Sequence, residues 1–130
     1  MTVPFLCLTL AFAFLYISKV PVGMAMARMP KGYDNRQPRD QQGELGGWGR
    51  RALAAHQNGF ENFPKFAAAV LVAHVGHGDP AWSAVLAVTY VVARLAYTAA
   101  YIADVHALRS LVWTAGMFAT LGLFLLPAFK

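Results

Sequence analysis

The sequence predicts an all-α integral membrane protein, a four-helix bundle, on three observations: its composition is too apolar for a water-soluble domain, four stretches are long enough to cross a bilayer, and the connections between the last three are short. Of its 130 residues, 58% are apolar and 13% charged, with a mean hydropathy of +0.45, whereas soluble domains carry about 25% charged residues. A chain of this length holds one domain, residues 1–130. The formal net charge of +5 does not point to nucleic acid. Arg28, Lys31, Arg36, Arg39, Arg50 and Arg51 place six of the eleven cations in one connection that also carries Asp34, Asp40 and Glu44. Such a loop reads as the surface of an anionic membrane face rather than a nucleic-acid footprint. Cys7 is the single cysteine, so no internal disulfide forms.

The first span covers about 2–27, apolar apart from Lys19 and small polar groups. Ala25-Met26-Ala27 resembles a cleavage site, but no basic segment precedes the apolar run, which disfavours a cleaved signal peptide. Pro21 and Gly23 are expected to kink the end of this helix. Residues 28–49 are rich in turn formers and charge and read as a surface loop, with Trp48 as an interfacial anchor. The second span, about 50–75, is expected to bend near Pro64. His74, His77 and Asp79 lie in a glycine-containing turn with no fourth ligand in sight, so no metal site is expected. The third span covers about 81–103. A tight connection at 104–109 leads to the fourth, about 110–127. Cations concentrate in the loops at 28–49 and 104–109, which the positive-inside rule places in the cytoplasm.

Polar groups inside the spans carry the functional signal, because a charge at mid-membrane costs several kcal/mol unless it is paired or faces a cavity. Arg51, Asn58, Glu61 and Lys65 recur at helical spacing on one face of the second helix, and Arg94, Tyr97 and Tyr101 share a face of the third. Counted from the basic side, Glu61 and Arg94 both lie roughly 15 Å deep, which suggests an ion pair. Asn58, Tyr97, Tyr101, Arg109 and Ser110 add donors beyond those one carboxylate needs. That excess suits a pocket for an anionic or peptide-like ligand entering from the cytoplasmic side, whereas a purely structural ladder would serve only to glue helices together.

Three ordered fragments resemble a known family. Ala55-His56-Gln57-Asn58-Gly59-Phe60-Glu61-Asn62-Phe63-Pro64 is similar to the second-helix motif of MAPEG proteins, the membrane-associated proteins in eicosanoid and glutathione metabolism. Ala93-Arg94-Leu95-Ala96-Tyr97-Thr98-Ala99-Ala100-Tyr101 is similar to the third-helix motif, and Arg109-Ser110 to the start of the fourth. Tyr33 to Arg39 resembles a loop of uncharacterised bacterial members, which implies a multi-pass protein of the bacterial inner (cell) membrane.

The resemblance implies a homotrimer in membrane lipid with glutathione as cosubstrate between subunits. Arg51, His56, Asn58, Glu61, Arg94, Tyr97 and Tyr101 would bind it, and Arg109 with Ser110 would serve catalysis by stabilising the thiolate. The partner substrate would be a lipophilic electrophile or lipid hydroperoxide taken by a transferase or peroxidase. The alternative is a non-catalytic lipid-binding or scaffold protein of the same family. In one place the chain departs from the pattern: Ala54 stands where glutathione-using members commonly have arginine, so a carboxylate clamp is absent or supplied by Arg50 or Arg51.

Overall fold

A computed structural model describes residues 1–129. The described residues form α1 (Val3–Ile17), α2 (Lys19–Ala27), α3 (Pro38–Gly43), α4 (Gly47–Val75), α5 (Pro80–Ile102) and α6 (His106–Leu125), closed by a short 3-10 turn at Leu126–Ala128. Three helical stretches are long and apolar enough to cross a membrane: Val3–Ala27, Pro80–Ile102 and His106–Ala128. The longest helix, α4, has 29 residues and packs against α1, α2, α5 and α6. Its polar stripe lowers its apolarity below that of the other three.

Large apolar side chains also cover the outer surface of the spans. Leu10, Ile17, Val85, Val92, Leu111 and Phe118 are all exposed, as expected where lipid rather than water covers the protein. Inside, small residues let the backbones approach. Ala69, Ala73, Ala87 and Ala119 surround Phe66 and Leu123 in the main core, and the Phe66 ring stacks on Tyr90 at 3.8 Å between centroids. Close helix contact through small side chains is how membrane helices associate when lipid removes the hydrophobic driving force. At the basic end, Val22, Met26, Leu45 and Ala52 form a second core. There, Gly49 faces Ala25 so closely that an added Cβ would lie 2.7 Å from the alanine methyl.

The structure refines several expected boundaries. The first span is not continuous: it breaks at Ser18, one turn before Pro21 rather than at it. The reason is the missing proline N–H and the ring's clash with the carbonyl four residues back, which is that of Ile17. α4 runs unbroken through Pro64 and begins at Gly47 rather than Arg50. The segment read as a plain loop contains α3, held by the buried Gln41: its Nε2 donates to the Gly32 carbonyl at 2.6 Å, and its Oε1 accepts from the Asp34 amide at 2.9 Å. Trp48 is half-buried, with the Arg28 guanidinium 5.5 Å above its ring.

Both tight turns at the ends of α4 and α5 use the same device. Gly78 N–H donates to the Ala73 carbonyl and His77 N–H to that of His74, while Val105 and Asp104 repeat the pattern on Ala100 and Tyr101. These are Schellman closures, which require a left-handed residue and usually use glycine there. His77 (φ 56) and Asp104 (φ 62) occupy that position instead. We expect His77→Gly to stabilise the protein by about 1 kcal/mol, because it relieves left-handed strain at an exposed side chain. Thermal unfolding in detergent measures it; an unchanged or lowered midpoint contradicts the strain assignment.

Candidate functional site

The buried residues Ala52, Ala55, Phe66, Ala69, Val70 and Ala73 fix the inward face of α4. Asn58 borders that face on the side of α5, and Glu61, three residues on, is turned outward and exposed. Arg94 of α5 is buried, with 7% of its surface accessible. It reaches α4 beside Gly59: a Cβ there would stand in ordinary contact with Arg94 Nη2 at 3.9 Å and tight against Leu15 Cδ2 at 3.3 Å, so the glycine lets α1 approach here.

Asn58 is the junction. Its Oδ1 accepts from Arg94 Nη1 at 3.0 Å and from Asn62 Nδ2 at 3.0 Å, and its Nδ2 donates to Glu61 Oε2 at 3.3 Å. Asn62 Nδ2 also donates to the Asn58 backbone carbonyl at 2.9 Å, fixing the second amide. The expected direct Glu61–Arg94 ion pair is therefore corrected: the two charges are joined through an amide. Helix rotation explains this, since equal depth brings Glu61 level with Arg94 but points its carboxylate outward, leaving Asn58 as the group that faces α5.

From Arg94 the polar groups continue toward the basic side. The guanidinium carbon lies 4.4 Å from the centre of the Tyr97 ring. Tyr97 meets Tyr101 edge-on at 5.6 Å, and the Arg109 guanidinium carbon lies 4.4 Å from the Tyr101 ring centre. Cations over aromatic faces are favourable by about 0.5–2 kcal/mol, more where water is excluded. Glu61, Asn58, Arg94, Tyr97, Tyr101 and Arg109 thus form one continuous line over α4, α5 and the first turn of α6. It combines an exposed carboxylate at one end with two guanidinium groups along its length, a donor and acceptor set matched to a ligand bearing both carboxylate and ammonium.

The sequence model of the MAPEG family matches residues 3–129. The chain belongs to the MAPEG family. No curated protein matches the sequence. MAPEG proteins are membrane proteins generally associated with glutathione, and membership suggests a glutathione-related transferase, peroxidase or related function.

Three other positions singled out in this MAPEG chain lie apart from the line. Arg51 donates through Nε to the Ile102 carbonyl at 3.1 Å, capping the C-terminal end of α5, where a cation also meets the negative end of the helix dipole. His56 lies two residues before Asn58, hence about 200° around the helix on the other side of α4. Its Nδ1 is 2.8 Å from Ser18 Oγ, and its ring meets Phe60 edge-on at 5.1 Å. Ser110 is exposed; α6 begins at His106, earlier than expected, so Ser110 is its fifth residue, already inside the helix.

Sequence reasoning missed Ser18 and the part played by Asn62. Ser18 Oγ also donates to the Leu15 carbonyl at 2.8 Å, which commits its one proton, so His56 must present Nδ1–H to it. This pair latches the break between α1 and α2 onto α4. Ser18→Ala is expected to destabilise the protein by about 1 kcal/mol, since it leaves a partly buried histidine donor without its protein partner. Unfolding in detergent reads the loss, and a midpoint equal to that of the unaltered protein contradicts the latch.

Proposed function

We propose that this MAPEG protein is a glutathione-dependent membrane enzyme, a transferase or peroxidase for lipophilic electrophiles or lipid hydroperoxides. It would work as a homotrimer with α4 as its fourth crossing and the loops at 28–49 and 104–109 in the cytoplasm. The observation that carries the reading is the Asn58 junction between Arg94 and Glu61. The γ-glutamyl end of glutathione bears a carboxylate and an ammonium on one carbon. Arg94, with guanidinium donors beyond the one given to Asn58, suits the carboxylate, and the exposed Glu61 suits the ammonium.

The remaining length of the tripeptide would lie along Tyr97 and Tyr101, bringing its thiol toward Arg109. A thiol with pKa about 8.5 is mostly protonated at neutral pH, and a nearby guanidinium favours the thiolate. Arg109 belongs to the first turn of α6, where helix amides favour negative charge as well. Conjugation then forms one C–S bond as the thiolate attacks the electrophilic carbon, and the electron pair leaves with the displaced group or passes to the acceptor. A hydroperoxide would instead lose its terminal oxygen to sulfur and leave as the alcohol, and a second glutathione would reduce the resulting sulfenic acid to the disulfide with release of water.

One observation favours the second reading, a non-catalytic lipid-binding or scaffold protein. Ala54 removes one expected clamp, and Arg51, a possible substitute, is engaged with Ile102. Turnover separates the two. Protein purified into lipid nanodiscs and given glutathione with a lipophilic electrophile, and separately with a lipid hydroperoxide, is expected to consume glutathione well above the uncatalysed rate. No acceleration with either acceptor moves the conclusion to the non-catalytic reading.

A further inference from the structure

On the opposite side of α4 from Asn58, a polar cavity of about 670 Å³ opens between α2, α3 and α4. Lys19 and Arg39 both line it, together with Tyr33, Gln42, His56 and Gln57, and no carboxylate is among its lining residues. Two like charges facing one space, with no counter-ion from the chain, mark a site for an anion. Glutathione in the proposed function occupies the other face of this helix.

Position in the membrane identifies the kind of anion. α1 carries no charged residue over its 15 positions, a rise of about 22 Å through the apolar layer, and Lys19 is the first cation after it. Lys19 therefore stands near the boundary where hydrocarbon gives way to phosphates. Below the cavity the surface is apolar and aromatic. Phe60 lines the cavity and is 48% exposed, with Phe12 at 50% and Tyr16 at 62%. The Phe12 ring lies 5.3 Å from Tyr16 and 6.0 Å from Phe63, so the aromatic strip descends along the α1–α4 side of the protein. A basic recess above an exposed apolar strip matches a molecule with an anionic head and a hydrocarbon tail.

We propose that this cavity binds an anionic phospholipid, with the headgroup phosphate held by Lys19 and Arg39 and an acyl chain lying on Phe60, Phe12 and Tyr16. The α3 segment then has a purpose: Gln41 pins it back over the membrane surface, which brings Arg39 over Lys19's cavity. The bound lipid would tie the 28–49 segment to the first span independently of the glutathione site.

The test uses the full chain in nanodiscs of phosphatidylcholine containing a minor fraction of phosphatidylglycerol, followed by native mass spectrometry of the released protein. Phosphatidylglycerol is expected to be retained in preference to phosphatidylcholine, and Lys19→Gln with Arg39→Gln should lower its retention about 30-fold, the effect of losing two cations at the membrane surface. Arg36→Gln, in the same segment but outside the cavity, should leave retention unchanged. Circular dichroism and the glutathione titration of the double variant must match the unaltered protein, and Arg39→Gln alone gives a partial loss if the double variant is misfolded. Equal retention of the two lipids, equal loss in Arg36→Gln, or displacement of phosphatidylglycerol by glutathione or by inorganic phosphate at millimolar concentration overturns the proposal.

Discussion

Asn58→Leu is expected to be the most damaging single substitution in the polar line, lowering stability by about 1–3 kcal/mol and abolishing glutathione binding. Arg94 is buried and its Nη1 donates to Asn58 Oδ1; removing that partner leaves a charged donor unsatisfied in a buried setting, where the full desolvation penalty is felt. The same substitution removes one of the two acceptors of Asn62 Nδ2, which keeps the backbone carbonyl of residue 58, and frees Glu61. Replacing Arg94 at the same time removes the stranded charge, so Asn58→Leu with Arg94→Leu should recover most of the lost stability while remaining unable to bind glutathione. Unfolding of the two single variants and the double variant in detergent measures the coupling. A double variant as unstable as the sum of the singles contradicts the junction. Glu61→Gln, by contrast, should cost less than about 1 kcal/mol of stability, because the side chain is exposed and glutamine retains an acceptor for Asn58.

Arg109→Leu is expected to lower turnover by about 100-fold or more, the usual consequence of removing one preorganised group that stabilises developing negative charge. Arg109 packs on Tyr101 at the opposite end of the line from Glu61, so glutathione affinity, held in the proposed function mainly at Arg94, Asn58 and Glu61, should change by less than about threefold. The thiolate absorbance of bound glutathione should fall with turnover. Were Arg109 only a contact for lipid phosphates, turnover with a soluble model electrophile would survive, and an unchanged thiolate signal would remove it from the mechanism.

The polar line was legible in the sequence because two simple rules sufficed. Helical periodicity put Arg94, Tyr97 and Tyr101 on one face, and counting rise from the basic side brought α4 and α5 into register. Depth alone does not fix rotation, which is why Glu61 was expected against Arg94 and Asn58 stands there instead. The Ser18–His56 latch was not legible, since a serine within an apolar run looks the same whether it meets its own backbone or another helix. Arg51 falls on the expected stripe, yet its length lets it reach the carbonyl of Ile102 rather than the line. α3 depends on Gln41 bonding to residues seven and nine positions earlier in the chain, a tertiary effect with no local pattern. The break at Ser18 was foreshadowed by Pro21, but its place follows from the proline's conflict with Ile17.

The central claim is that glutathione binds at the Asn58–Arg94 junction. Calorimetric titration of glutathione into the unaltered protein, in parallel with the folded Asn58→Leu, Arg94→Leu double variant, tests it most directly. Saturable heat at millimolar ligand from the unaltered protein and none from the double variant is the predicted result. Equal heats from both, or no heat from the unaltered protein, would contradict the account.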